Sequence, residues 1–392
     1  MNGIITEEIV SAAVLNRIFG FKPKIGIALI NEYGSASRIF NLDREELDLV
    51  LGPFVKYKNK INKEALESEY DELVRLEKEG AFFLPITDPL YPQSLRDCDD
   101  PPIGLYIKSI SPINEVFGET DFISIVGTRN ITSYGTQWGY EIVRALCSES
   151  NNVSIVSGLA LGVDALAHKA ALDHSSPTIA VLPTGIDLIY PRLHNHLSDR
   201  ILDQEKSALV SDYPPGTYAL TINFLRRNRI IAALSRATIL IESKARGGGL
   251  LTARLAHTYN RDVYALPGKA DDICSQGCNN LIREKIAEPI TSIDTFMASI
   301  GLGLKEYIPR KKKLTQIESK LKEIYAPESY DLMILIIHKV AEKRDLSIDE
   351  LREMLGRNYI EISTTVRLLE AEGLIVVDVF HRCSISNSIY SV

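Results

Sequence analysis

Three arginines, Arg226, Arg227 and Arg229, stand within four residues at the start of the apolar stretch NFLRRNRIIAALS that opens at Asn223. A guanidinium presents a planar fork of N–H donors that matches phosphate oxygens and stays charged at physiological pH. Read with a 3.6-residue period, the stretch is a helix on which Phe224, Arg227, Asn228 and Ile231 share one face near the N-terminus, where the helix dipole also favours an anion. Phe224 adds a flat ring on which a nucleic-acid base can stack. The competing reading is structural, with the arginines paired to carboxylates such as Asp212 or Glu242. No acidic residue lies between Asn223 and Leu240, and that surplus of positive charge favours an external anion.

The elements that must hold these arginines follow from the pattern around them. Six runs, FISIVG, VSIVSG, TIAVLP, ALVSDY, ATILIES and DVYALPG, are nearly continuous in apolar and β-branched residues and alternate with helical stretches. Such runs are strands covered on both faces, the mark of a doubly wound, mostly parallel sheet flanked by helices. Small residues follow each strand: Gly127 to Asn130 with Arg129 among them, Ser157-Gly158-Leu159-Ala160, Pro183-Thr184-Gly185, Pro214-Pro215-Gly216, Arg246-Gly247-Gly248-Gly249 and Pro267-Gly268. In an open parallel sheet the carboxyl ends form one rim, and ligands bind in its crevice. Loops of small residues there let backbone N–H groups approach phosphate oxygens closely.

Several chemistries find no support. The stretch GTRNITSYG lacks the glycine spacing of a dinucleotide fingerprint, and no acidic residue ends the second strand to hold a ribose; a P-loop with its lysine is also missing. No cofactor is expected. Asp164 and His168, four apart on the helix after SGLALG, could move a proton, although a structural hydrogen bond explains them as well. Ser157 has no nucleophile elbow around it. The stretch RGGGLLTARL is superficially like the glycine-rich loop of nucleotide phosphoribohydrolases, but where that pattern carries a glutamate, three residues after Thr252, this chain has Leu255. Cys274 and Cys278 lack a second Cys/His pair for zinc. No catalytic residue and no metal site are expected, and an N-glycoside hydrolase-like enzyme on nucleotides remains the alternative.

The chain of 392 residues is long enough for two or three domains. Its formal net charge of -7 makes bulk attraction to nucleic acid unfavourable, so an anion site must be a local patch. No apolar run is long enough to span a membrane, no leader is recognised at the N-terminus, and five irregularly spaced cysteines suit a reducing compartment; a cytoplasmic protein is expected. Residues 1–80 read as a small helical domain, SAM-like or helix-hairpin-helix-like. FKPKIG lacks the glycine-rich hairpin that would give it a DNA grip of its own. Five prolines between Pro85 and Pro102 imply an extended connector into the α/β domain, residues 81–304. A polar linker with RKKK at 310–313 covers 305–328, and residues 329–392 read as helix, helix, helix and two strands, the order of a winged helix. From Glu328 onward seven basic residues face eleven acidic ones, which suits a protein contact better than a phosphate grip. The competing reading of this end, a transcription regulator with a sensing sheet, is disfavoured by Glu361, Glu370 and Glu372 on or beside the presumed recognition helix.

The stretches DPLYPQSLRDCDDPPIGLYIKS, ISIVGTRNITSYG, IVSGLALGVDALAHKAAL, PTGIDLIYPRLH, SDYPPGT, NFLRRNRIIAALSRATILIE, LLTARLA and ALPGKADDICSQGCNNLIRE, in this order between Thr87 and Glu284, resemble the DprA (Smf) family of bacterial DNA-processing proteins. The resemblance implies an extended Rossmann-like domain that binds single-stranded DNA, a homodimer formed through that domain, and loading of the RecA recombinase onto incoming strands in natural transformation. Carried over by motif, Gly127, Arg129, Ser157, Gly158, Leu159, Ala160, Phe224, Arg226, Arg227, Asn228 and Arg229 would form the DNA site, supported by Gly247, Gly248 and Gly249. Phe224 would stack a base. Some members carry a basic residue where Leu161 stands, so one phosphate contact is expected to be missing.

Overall fold

The computed structural model describes residues 5–118, 120–147, 152–302, 318, 321–322, 324–342, 346–378 and 381–385. Two compact units divide the chain, Met1–Lys305 and Glu306–Val392.

The first unit is built on a nine-stranded sheet: β1 (Ala81–Pro85), β2 (Gly104–Lys108), β3 (Asp121–Val126), β4 (Val153–Ser157), β5 (Thr178–Val181), β6 (Ala208–Ser211), β7 (Ala237–Leu240), β8 (Asp262–Ala265) and β9 (Glu288–Pro289). Their spatial order is β1-β2-β6-β5-β4-β3-β7-β8-β9. β3 to β9 run parallel to one another, while β2 runs antiparallel to both β1 and β6. The six apolar runs are the six parallel strands β3 to β8, and β4 to β7 are buried along their whole length. From β3 the chain steps to β4 on one side, and from β7, on the other side of β3, it steps away to β8. The connections above β3 and β7 therefore diverge, and a crevice opens between the carboxyl ends of these two strands.

The proline-rich stretch departs from the extended connector expected of it. Its two ends pair as β1 and β2, with Ala81 opposite Lys108 and Pro85 opposite Gly104. Continuous apolar residues at both ends outweigh the prolines, because Pro85 closes an edge strand where the missing N–H breaks little of the ladder. Between them Tyr91 is buried and donates to the carbonyl of Pro102 at 2.9 Å.

The N-terminal helices Glu7–Phe19, Pro23–Tyr33 and Lys63–Lys78 match the amphipathic stretches of the sequence. They pack into the same core as the sheet. Leu15 and Phe19 share it with Ile103 and Leu105, and a Cβ on Gly26 would lie 3.3 Å from Cγ1 of Ile103. Polar ties reinforce the contact: Asn16 donates to the carbonyl of Asp212 at 2.9 Å, and buried Glu69 takes both Arg17 at 2.7 Å and the Tyr106 hydroxyl at 3.3 Å.

In the second unit, helix Pro327–Glu342 is followed by β10 (Leu346–Ser347), helices Ile348–Leu355 and Tyr359–Ala371, β11 (Ile375–Val377) and β12 (Arg382–Ile385). The three strands form an antiparallel sheet in the order β10-β12-β11 around a core of Met333, Ile336, Ile362, Val366 and Leu369. The RKKK stretch lies outside the described residues. Among the described residues no helix is long and apolar enough to cross a membrane.

Candidate nucleic-acid interface

The crevice over β3 and β7 holds a cleft of about 490 Å³. Its floor is the loop after β3, Val126 to Arg129, and its far wall the loop after β7, Ser243 to Gly249. These loops meet through glycines: a Cβ on Gly249 would sit 2.7 Å from the Cα of Gly127, and one on Gly127 would sit 2.9 Å from the carbonyl oxygen of Glu242. Neither position has room for a side chain. First-turn residues of three helices complete the lining: Asp164 of Val163–Asp173, Thr221 and Phe224 of Thr221–Leu234, and Gly248 and Gly249 of Gly248–Thr258. Helix starts expose N–H groups without partners inside the helix, so the cleft is walled by donors as well as by side chains.

The face expected of helix Thr221–Leu234 is the one that lines the cleft, with Phe224, Arg227, Asn228 and Ile231 all present. The arginine cluster itself does not stay together. Only Arg227 reaches the cleft; it is 3% exposed, and its Nη1 donates to the carbonyl of Gly158 at 2.7 Å and to that of Val181. Arg229 turns to the opposite side, where its Nη2 meets Asp212 at 2.6 Å and its Nη1 the carbonyl of Asp100. That is the structural ion pair weighed above. Arg226 leaves in a third direction, its guanidinium 4.1 Å from the centre of the Phe21 ring. Consecutive helical positions are about 100° apart, so three neighbouring arginines cannot serve one site. Glu242 is no arginine partner: buried, it accepts the Thr132 N–H at 2.9 Å and the Thr132 hydroxyl, closing the start of helix Ser133–Leu146.

The loop after β4 is divided in the same way. Ala160 lines the cleft. Ser157 is fully buried and donates to the carbonyl of Ile125 at 2.7 Å, Gly158 lends its carbonyl to Arg227, and Leu159, with φ of 56°, is buried and lends its carbonyl to His194. These three shape the rim from behind. Leu161 is 42% exposed. The Asp164–His168 pairing does not form as expected. His168 Nδ1 bonds the Thr178 hydroxyl at 2.7 Å instead, while Asp164 accepts from the N–H of Ala160 at 3.4 Å and faces the cleft. Cys278 is buried and its thiol is pushed up to about 12 by burial.

Arg129 is exposed and lies over the ring of Phe224, 4.9 Å from its centre, and Tyr190 meets the same ring edge-on at 5.5 Å. Burial lowers the Arg227 pKa to about 10, with Asp164 opposing the shift, so the guanidinium stays charged at neutral pH. Burial raises the Asp164 pKa, opposed chiefly by Arg227. The charged lining is then Arg129, Arg227, Lys244 and Arg246 against Asp164 alone. This is a strongly positive patch in an acidic chain. Tyr190 and Lys244 were missed in the sequence, and Arg246 was placed on the rim without being assigned to the site: Lys244 and Arg246 precede the glycines singled out there, and nothing local marks Tyr190.

Comparison with known proteins agrees with this architecture. The family model for DNA recombination-mediator protein A matches residues 82–301. The Smf protein of Escherichia coli is 32% identical over 303 residues, covering 76% of each chain. The Smf protein of Synechocystis is 42% identical over 219 residues, 56% of this chain and 54% of that one, so the chain spans about half the length of this relative. In three dimensions the DNA processing protein A of Streptococcus pneumoniae superposes with a TM-score of 0.57 at 31% identity, over 73% of this chain and 95% of that one. On these matches and on the sheet and rim described above, the chain belongs to the DNA recombination-mediator protein A family, the DprA or Smf proteins.

Proposed function

We propose that this protein binds single-stranded DNA along the cleft over β3 and β7 and has a DNA-processing role in transformation. The observation that carries the reading is the lining itself: four cations against one carboxylate, beside the exposed ring of Tyr190 and the half-buried ring of Phe224, in a chain of net charge -7. Alternating cations and rings suit a backbone whose phosphates and unstacked bases alternate, and such stacking tolerates every base. A duplex hides its base faces and offers the rings nothing. Arg129, Arg227, Lys244, Arg246 and the N–H groups at Gly247 to Gly249 hold phosphates; Phe224 and Tyr190 take bases. Gly127 and Ala160 give the strand access, and Asn228 donates from its side chain. Ser157, Gly158, Leu159 and Arg229 support the site from outside the cleft.

The wider role rests on the family resemblance: a non-enzymatic protein, homodimeric through its Rossmann-like domain, that protects incoming strands and hands them to the RecA recombinase. The C-terminal unit, which we read as a winged helix, serves a protein contact. Its helix Tyr359–Ala371 exposes Tyr359 and Ile360 beside Glu361, a surface ill suited to phosphates.

Photo-crosslinking with an iododeoxyuridine-substituted oligonucleotide, followed by peptide mapping, tests the location. Crosslinks at Tyr190 or Phe224 are expected. Crosslinks confined to surfaces outside the cleft would refute the reading, and turnover of nucleoside monophosphates would move it to the nucleotide-hydrolase alternative.

A further inference from the structure

A surface of cations and rings begins beside the cleft. Leu225 lines the cleft and is 43% exposed, and the next residue, Arg226, lies 4.1 Å from the centre of the Phe21 ring, itself 60% exposed in the turn between helices Glu7–Phe19 and Pro23–Tyr33. Arg226 also donates to the carbonyl of Gly20, which ties the helix of the cleft to this surface. Beyond Phe21 the pairing of cation and ring recurs: Lys22 lies over Phe54 at 5.8 Å, and Lys56 over Tyr57 at 5.1 Å. Arg129 over Phe224, inside the cleft, is the same device.

Lysines outnumber carboxylates along this surface, with Glu32, Asp48 and Glu64 at its borders. Residues 20–31 and 49–63 contain six lysines and no carboxylate. Lys58 is held by Asp48 at 2.5 Å, and Lys60 borders a separate hollow with Glu69 and Glu72; Lys22 and Lys56 are exposed and point to no carboxylate partner in the described contacts. A cation resting on an exposed aromatic face is held weakly and can be exchanged for a phosphate while a base takes the ring face.

We propose that a single strand leaving the cleft over Leu225 continues across Arg226 and Phe21 onto Lys22, Phe54 and Lys56, so that the N-terminal helices form a second segment of the same binding track. The proposal rests on the cleft reading, and it assigns DNA contact to helices that carry no hairpin motif. The grip comes instead from a surface ladder of cations and rings that depends on the N-terminal helices sharing a core with the sheet.

The test compares the full chain with its Lys22→Glu/Lys56→Glu double variant on two oligo-dT lengths, one of roughly 6 nucleotides, sized for the cleft, and one of roughly 25 that runs past it. Thermal melting checks that the exposed substitutions leave the fold intact. The double variant is expected to bind the long oligonucleotide about tenfold more weakly, with a shallower salt slope, and the short one as the parent does. Equal affinity for the long strand, or an equal loss on both lengths, would overturn the track. Lys244→Glu separates the two claims: it weakens both lengths if the cleft reading holds, and leaves both unchanged if that reading is the one at fault.

Discussion

Arg227 donates to the carbonyls of Gly158 and Val181, so one guanidinium at the cleft joins helix Thr221–Leu234 to the loop after β4 and the end of β5. A residue with phosphate-binding chemistry thus also closes the sheet rim. Arg227→Ala is expected to lower the salt slope of single-strand binding by about one and to destabilise the fold by about 2–3 kcal/mol through the abandoned carbonyls, duplex binding remaining weak throughout. Anisotropy and urea unfolding of the same preparation read the two effects; an unchanged salt slope would remove Arg227 from the phosphate contacts.

Phe224 and Tyr190 make an aromatic corner with ring centres 5.5 Å apart. Base stacking is worth about 1–3 kcal/mol per base. Tyr190→Ala, at an exposed position, should therefore weaken oligo-dT binding about tenfold without altering the melting temperature or the salt slope, because it removes no charge. A changed slope with unchanged affinity at low salt would contradict a stacking role.

Arg229 is different in kind. It and Asp212 are both nearly inaccessible, and removing one partner leaves the other charge buried. Arg229→Ala should cost about 3–5 kcal/mol of stability. At temperatures where the variant remains folded, its single-strand affinity should match the parent's, and a folded variant that lost binding would put Arg229 back in the site.

His168 supplies a pH dependence. Thr178 gives its hydroxyl proton to the carbonyl of Ile155 at 2.8 Å and so accepts from His168 Nδ1–H, which sets the tautomer of the neutral ring. Burial, with His194 and Arg227 adding to it, lowers the His168 pKa from 6.5 to about 3. Between these values the unfolded chain binds a proton that the folded one refuses. This contribution to stability is full above pH 6.5 and is lost as pH falls toward 3, at up to about 1.4 kcal/mol per pH unit. Urea unfolding at pH 7 and pH 5 should show a flatter pH dependence in His168→Gln, and parallel curves for variant and parent would contradict the assignment.

How far the sequence could be read depended on which physical rule each residue obeyed. Continuous apolar runs placed β3 to β8, because a strand buried on both sides must be apolar on both faces. Helical periodicity grouped Phe224, Arg227, Asn228 and Ile231 on the cleft. Counting arginines without that periodicity put Arg226 and Arg229 there as well, although angular spacing sends them elsewhere. β1 and β2 were hidden behind prolines. Asp164 was read with its helical neighbour His168 because Thr178, the partner His168 takes, reaches it only in the folded sheet, while Asp164 turns to the N–H of Ala160 in the loop just before its helix. Tyr190 reaches Phe224 only through tertiary packing, and no local pattern announces it.

The cleft as a single-strand track is tested most directly by fluorescence anisotropy of the full chain with labelled oligo-dT and with a matched duplex across a salt series. Tight binding of the single strand with a steep salt slope, and duplex binding weaker at every salt concentration, is the result predicted. Equal affinity for both, or no binding to either at low salt, would contradict it.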